Sequence, residues 1–538
     1  MTTKLAVTDR LSWVLPTLLR DRAAEHPDRP YVTFALGDRS FTYGEWDAET
    51  DAVAAGLARL GVGPGDTVLQ MIRNRAELPL VRFGANKLGA VEVPVNVDYR
   101  GYLLEHVFNT VQARVLVVEA DLVDEVVASL ERLEHLTTVV VVGAGVPSLP
   151  GVSLVPFGEL LTAGAPPRPH VHPGDVASIQ FTSGTSGPSK GAEIPHAHSH
   201  LLAEINGGLL GVDGDSVIFT ELPLFHVNAQ MSMYTALIHG ARVAIEPRFS
   251  ASEWVARLRR HGATHTPLLG VMLAFLLKLP EQPDDADNPL RVVWSVPRVA
   301  EVVEPFMARY GVEQMLTSYG CTEIGMVVRG RWGTPPHVTG RVVDEFFELR
   351  IVDPDTGEDV GVGEIGEVVT RPKLPWCVTR GYIGMPERTV EAYRDLWFHT
   401  GDAARMDADG WFTFMDRIKD RIRHRGENVA SADVEHVLGE HDGIADSAVI
   451  AVKSEEAGGE DEIKACIVLR PGSEVGAEDV WTWCTERLPH FAVPRYVEFM
   501  AALPKTPTEK VRKNVLRDDG VTDATFDRGP AARGGGRR

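Results

Sequence analysis

Two rhythms of apolar and polar positions run along this chain. Short unbroken runs of aliphatic and β-branched residues fall at 67–71, 114–118, 137–142, 243–245 and 291–294. Such runs predict strands buried on both faces. Over residues 52–60 the apolar positions recur at helical spacing, and the glycine-bearing turn at 61–65 leads into the run at 67. Strands separated by helices predict an α/β protein with parallel sheets and flanking helices. After Gly340 the texture changes. Runs at 348–352 and 367–370 lie on either side of a turn at 353–357, and a further strand is expected at 411–415. These read as a β-subdomain. The charged run at 416–425 is followed by a compact βα pattern of about a hundred residues, the size of a small domain. We therefore expect a large N-terminal domain over 1–415 and a small mobile α+β C-terminal domain over 416–525. Residues 529–538 are rich in Gly and Arg, and the tail over 526–538 is expected to be disordered.

Composition narrows the function class. The 538 residues carry a formal net charge of −21, which opposes overall binding to nucleic acid or an anionic membrane surface. A nucleotide can still bind, because a local site needs only a few aimed donors. Cys321, Cys377, Cys466 and Cys484 are scattered without paired spacing, so no disulfide framework or cysteine zinc site is expected, and a reducing cytoplasm fits. The first residues lack the apolar core and small-residue cleavage site of a signal peptide, and no apolar stretch approaches the roughly 20 residues of a membrane span.

The most informative segment is Phe181-Thr-Ser-Gly-Thr-Ser-Gly-Pro-Ser-Lys-Gly191, which follows an apolar run at 176–180. Small residues let a backbone close around an anion, where N–H groups and hydroxyls cradle phosphate oxygens and Lys190 adds charge. The Walker A spacing is absent. By itself the segment also reads as a surface linker. It is followed in order by Tyr319-Gly-Cys-Thr-Glu323, Thr400-Gly-Asp402, the charged run from Asp416 and Pro504-Lys-Thr-Pro-Thr-Glu-Lys510. Together these five motifs resemble the adenylate-forming superfamily: acyl- and aryl-CoA ligases, carrier-protein adenylation domains and beetle luciferases. The resemblance spans about 41–513. Leu316-Thr-Ser-Tyr-Gly-Cys-Thr-Glu323, Arg425-Gly-Glu-Asn428 and Phe491-Ala-Val-Pro494 are similar to the carnitine/crotonobetaine-CoA ligase-like branch.

The resemblance implies an ATP-dependent, AMP-forming ligase that activates a small acid as an acyl-adenylate and transfers it to CoA. It assigns Thr182, Ser183, Gly184, Thr185, Ser186, Gly187 and Lys190 to the β- and γ-phosphates of ATP. Tyr319 would lie against adenine and Thr322 at the α-phosphate. Glu323 would hold Mg²⁺, a hard cation suited to carboxylate oxygen. Asp402 would accept from the ribose hydroxyls, and Arg417 would contact ribose or phosphate; without the motifs around them both read as surface ions. Lys510 would stabilise the charge that grows on the phosphoryl oxygens during attack. Lys419 stands at the hinge position, where relatives rotate the small domain and bring the 425–428 segment toward the acceptor. The bland alternative for that run is a charged, solvated helix.

The acid side is less determined. His226 matches the family's motif at the acyl pocket and also reads as an ordinary partly buried histidine. Asn228, Ser295, Arg298 and Ser318 join it as expected pocket residues. Relatives carry a Gly-Gly-Ala-Pro-like stretch where this chain has Trp294-Ser-Val-Pro-Arg298. Arg298 could meet a second anionic group on the substrate or lie on the surface. A polar lining is expected to favour a small aryl or polar acid. His196, His198 and His200 invite a zinc reading, but they fall where a helix begins after the phosphate loop. The phosphate motifs do not separate CoA from a carrier protein as acceptor, nor a carboxylic acid from nitrite activated to diazotise an aromatic amine. An inactive scaffold is opposed by the intact Lys510, Glu323 and Asp402.

Overall fold

A computed structural model describes residues 5–99, 101–144, 149–161, 164–182, 189–296, 300–335, 337–417, 421–424, 427–453, 461–488, 492–506 and 511–529. Two seven-stranded sheets form its larger part. In the first, Gln314–Leu316, Val292–Val296, His265–Leu269, Val217–Thr220, Arg242–Ile245 and Pro30–Phe34 run parallel, and Arg39–Thr42 closes the edge as an antiparallel hairpin strand. In the second, Ser153–Pro156, Thr138–Val142, Val115–Glu119, Thr67–Met71, Val91–Pro94 and Val176–Thr182 run parallel, and Lys190–Pro195 is added antiparallel. Their buried strands carry apolar side chains on both faces, because helices cover both sides.

The helix Tyr43–Arg59 shows how local sequence sets this packing. It starts at Thr42, whose side chain accepts from Glu45 N while Glu45 accepts from Thr42 N, so two otherwise orphan donors are satisfied. It buries Trp46, Val53 and Leu57. Gly84 of the helix Glu77–Lys87 meets it so closely that a Cβ there would lie 2.7 Å from Val53.

Two antiparallel sheets follow. Ser318–Cys321, Gly325–Arg329 and Arg341–Val342 make a small one. Phe347–Val352, Gly366–Pro372, Phe398–Met406 and Phe412–Arg417 make a four-stranded one. Over the described part of the charged run the chain is extended rather than helical. Residues to Arg417 finish a strand, and Arg421–His424 pairs with Glu427–Ala430. The chain ends in a smaller α+β unit. There Ile444–Lys453, Asp461–Leu469, Tyr496–Phe499 and Thr525–Asp527 form one sheet, with the helices Ser431–Gly439 and Ala477–Arg487. Its apolar clusters are built from residues 422 onward, among the described residues. No helix among the described residues is long and apolar enough to cross a membrane.

Candidate active site

Thr182 ends one strand and Lys190 begins the next, and the two residues are antiparallel partners. The two ends of the expected phosphate loop are therefore held side by side. Ser183, Gly184, Thr185, Ser186 and Gly187 lie outside the described residues. His106 Nε2 lies 2.7 Å from the Ser189 carbonyl and fixes the downstream end. A further segment runs along the strand Lys190–Pro195. Glu193 N donates to the Gly381 carbonyl, Arg380 N to that of Glu193 and Ile383 N to that of Gly191, each at 2.9 Å. This strand addition places Tyr382 beside the loop's ends, with Lys190 Nζ 4.3 Å from its ring centroid.

The hairpin from Ser318 to Arg329 brings the second motif to the same place. Its turn is tight: a Cβ on Gly320 would lie 1.8 Å from the Gly325 carbonyl oxygen, and Gly325 has φ +68°, so both positions call for glycine. Glu323 is buried there, and its Oε1 accepts from the Tyr382 hydroxyl at 3.0 Å and from Thr182 Oγ1 at 3.5 Å. His198 holds the turn from behind. Its Nδ1 is 3.1 Å from the Cys377 carbonyl, and its ring would lie 3.4 Å from a Cβ built on Gly325. Burial, with Glu323 and Asp402 nearby, pushes the Cys321 thiol well above its usual range, so it stays protonated.

Tyr319 and Asp402 meet directly. The buried Tyr319 hydroxyl donates to Asp402 Oδ2 at 2.8 Å, and its ring packs on Phe412 and Phe414 with centroids 5.1 and 5.6 Å away. The residues expected at base and ribose thus form one unit. Glu367 aims the turn that carries Asp402. It accepts from Gly401 N at 3.1 Å and Arg394 Nη2 at 3.0 Å, and lies 2.9 Å from His399 Nδ1. Thr400 Oγ1 donates to the Val368 carbonyl and accepts from Asp402 N. Arg417 is the backbone partner of Asp402 on the adjoining strand. Its side chain, Arg298, Lys419 and Lys510 lie outside what the structure describes. Lys505 and Val511, either side of the last motif, are bridged antiparallel, and Arg512 N donates to the Pro504 carbonyl at 2.7 Å.

The acid-side residues lie on two elements. His226 precedes the helix Val227–His239, which carries Asn228 and Gln230. Gln180 Nε2 donates to Gln230 Oε1 at 3.1 Å and joins this helix to the strand that ends in Thr182. The Asn228 Oδ1 atom is enclosed and has no hydrogen-bond partner among the described residues. Ser295 is fully buried on the strand Val292–Val296, and the neighbouring Trp294 Nε1 donates to Ser318 Oγ at 3.0 Å.

The three histidines of the helix His196–Leu210 point to separate partners. His198 meets the Cys377 carbonyl and packs beside Gly325. His196 Nδ1 accepts from Leu15 N at 3.5 Å, and His200 stacks on Trp13 and lies 3.3 Å from Glu204 Oε1. Among the described residues no group of three or more His, Cys, Asp or Glu side chains is placed to hold a metal ion. Burial pushes His196 and His198 down to about 4. Between roughly pH 6.5 and 4 the unfolded chain takes up protons that the folded chain refuses, so stability falls as pH drops through that window. The melting temperature is expected to fall from pH 7 to pH 5, and to fall less steeply with His196→Gln. An equal slope in the variant would count against this assignment.

Sequence comparison adds a separate line of support. Residues 19–383 match the AMP-binding enzyme family, and residues 433–510 match the AMP-binding enzyme C-terminal domain. The chain is 30% identical over 512 residues to 4-coumarate–CoA ligase 3 of Oryza sativa subsp. japonica, covering 92% of this chain and 90% of that one. It is 29% identical over 496 residues to crotonobetaine/carnitine–CoA ligase of Salmonella paratyphi A, covering 89% and 93%. Among solved structures, the anthranilate CoA ligase AuaEII in complex with anthranoyl-AMP superposes with a TM-score of 0.82 at 26% identity, covering 94% of this chain and 96% of that one. A benzoate CoA ligase from Burkholderia xenovorans LB400 gives 0.80 at 25%, covering 94% and 99%.

Proposed function

The chain belongs to the AMP-binding enzyme family, and from that premise we propose that it is an AMP-forming ligase that activates a small aryl or polar carboxylic acid with ATP and passes the acyl group to CoA. The observation that carries this reading is the meeting of Thr182, Lys190, Tyr382 and Glu323 at one end and of Tyr319 and Asp402 at the other, drawn from three sheets. In the first half-reaction a carboxylate oxygen of the acid attacks the α-phosphorus. The new O–P bond forms as the bond to the bridging oxygen breaks, and pyrophosphate leaves. In the second, the CoA thiolate attacks the acyl carbonyl and AMP leaves with its electron pair.

The residues divide this work. The 182–190 segment and Lys190 hold the β- and γ-phosphates, Thr322 meets the α-phosphate, and Asp402 orients the ribose, itself aimed by Tyr319 and Glu367. Glu323 would hold Mg²⁺: one buried carboxylate with hydroxyls around it suits a cation that takes its remaining ligands from phosphate and water. Bound there, the ion would neutralise phosphate charge. Lys510 supplies a cation to the phosphoryl oxygens only while the adenylate forms. We place the boundary between core and mobile C-terminal domain at 415/416, with Lys419 as hinge, so that the 425–428 segment reaches the acceptor in the second step. ATP and CoA as co-substrates put the activity in the cytoplasm.

Polarity supports the choice of acid. His226 and Asn228 would be poor lining for an alkyl chain, and the enclosed Asn228 Oδ1 calls for an N–H or O–H donor. A polar group left without a partner costs about 1–3 kcal/mol, or roughly 10–100-fold in kcat/KM. Pyrophosphate release, screened over hydroxy- and aminobenzoates, dicarboxylic acids, long-chain fatty acids and nitrite plus arylamines, each with and without CoA, tests this. We expect CoA-dependent turnover of a substituted aryl acid at least about tenfold above any long-chain fatty acid. A fatty acid as best substrate would sink the pocket assignment. Turnover only with nitrite and arylamine would sink the choice of both acid and acceptor.

A further inference from the structure

Tyr382 has no role in the chemistry so far, yet it touches both charged groups at the phosphate end. Its hydroxyl donates to Glu323 Oε1 at 3.0 Å, and Lys190 Nζ sits 4.3 Å from its ring centroid. It is 6% exposed. Its backbone is fixed by a bridge to Ala192 and by Tyr382 N donating to Thr389 Oγ1 at 3.0 Å. Gly191 beside it leaves no room for adjustment, since a Cβ there would lie 2.9 Å from both Ile179 and Ile383. The ring is therefore a rigid spacer with the cation on its face and the carboxylate at its hydroxyl.

We propose, resting on the functional reading above, that Tyr382 is a positioning residue that holds Glu323 turned toward the metal of the metal–ATP complex and keeps Lys190 apart from it, on the side of the phosphates. Without the spacer, a lysine and a glutamate that both lie against one ring would pair with each other. Each would then be lost to its ligand, the cation to phosphate and the carboxylate to metal. A phenol suits the task because it gives Glu323 a neutral donor, which leaves the carboxylate its charge. The π-face offers Lys190 a weak cation site that phosphate readily outcompetes.

Two variants separate the two contacts. Tyr382→Phe keeps the face under Lys190 and removes only the hydroxyl. Tyr382→Leu removes both. The probe is Mn²⁺, titrated in the presence of ATP and read by electron paramagnetic resonance, beside calorimetric binding of ATP in EDTA and thermal melting. The Phe variant is expected to need about tenfold more Mn²⁺ for half-saturation, with metal-free ATP binding and melting temperature as in the wild type. The Leu variant is expected to lose more metal affinity than the Phe variant and also to weaken metal-free ATP binding about two- to fivefold, as Lys190 pairs with Glu323. Wild-type Mn²⁺ affinity in the Phe variant would overturn the proposal. So would parallel losses of metal binding, ATP binding and melting temperature, which mark a residue that merely supports the fold. If the wild-type protein binds no Mn²⁺–ATP at all, the functional reading falls and this inference with it; pyrophosphate release by the wild type distinguishes the two failures.

Discussion

Lys510→Ala is expected to form adenylate about 10²–10³-fold more slowly than the wild-type chain, while transferring acyl groups from synthetic adenylate to CoA at close to the wild-type rate. The asymmetry follows from where charge develops. Attack on the α-phosphorus loads negative charge onto phosphoryl oxygens, and a cation there stabilises the transition state more than the bound substrates. Thiol attack on the finished adenylate builds its charge on the acyl carbonyl instead, away from the phosphoryl oxygens that the lysine is proposed to serve. Lys510 stands just before Val511, which is bridged to Lys505, and Lys505 Nζ lies 2.8 Å from Asp446 Oδ2. The flanks are therefore anchored to the small domain, and truncating one side chain leaves that anchorage intact. Pyrophosphate exchange reads the first half-reaction and thioester formation the second. Equal loss in both would show that the lysine is needed for the fold or for both steps.

The second large effect is on stability. Arg82, on the helix Glu77–Lys87, and Glu92, on the strand Val91–Pro94, are fully buried and paired Nε to Oε1 at 2.6 Å. Gln70 Nε2 donates to Glu92 Oε2 at 3.3 Å, and the Arg82 guanidinium lies 5.8 Å from the Tyr234 ring centroid. Burial draws the Glu92 pKa upward while Arg82 holds it down. Arg82→Leu leaves that carboxylate buried and unpaired, and is expected to lower unfolding free energy by about 3–5 kcal/mol. The double change Arg82→Leu/Glu92→Leu should recover most of the loss, because two apolar chains need no pairing. In the single variant the deficit should shrink as pH falls, since Glu92 then takes up a proton and sheds its charge. Urea unfolding at pH 7 and pH 5 checks both points; a double variant as unstable as the single one would refute the argument. The pair also adjoins the site: Ser178, the strand partner of Glu92, accepts from Gln180 Nε2, which also donates to Gln230.

Strands buried on both faces were the most legible part of the sequence. The run at 67–71 coincides with Thr67–Met71, and the runs at 114–118 and 137–142 fall within a residue of Val115–Glu119 and Thr138–Val142. Continuous β-branched residues leave few alternatives there. The helix read from residue 52 begins at Tyr43, because its first turns are polar on several sides and only the Thr42-x-x-Glu45 cap marks the start. Lys190–Pro195 escaped notice as a strand, since glycine and proline in six residues give no period; it exists through pairing with Val176–Thr182. The residues proposed for the ATP side stand in the sequence as motifs in order, and the structure brings Thr182 and Glu323 together and Tyr319 and Asp402 together. The contacts of Tyr382, Glu367 and His198 were not legible, because each touches a residue dozens to more than a hundred positions away, and no local pattern marks such a partner.

The order of strands in the first sheet has a consequence for the growing polypeptide. Pro30–Phe34 takes its parallel partner from Arg242–Ile245, so Val32 waits for Val243. At about 5–20 residues per second, the intervening stretch of roughly two hundred residues takes some 10–40 s to synthesise. Throughout that time the nascent strand has only the hairpin strand Arg39–Thr42 beside it, and its other edge, with buried positions Tyr31, Val32 and Phe34, stays open. An open apolar edge is what chaperones bind and what neighbouring chains on a polysome pair with. The yield of native protein from a cell is therefore set in part during translation, by how well that edge is shielded until the middle of the chain emerges.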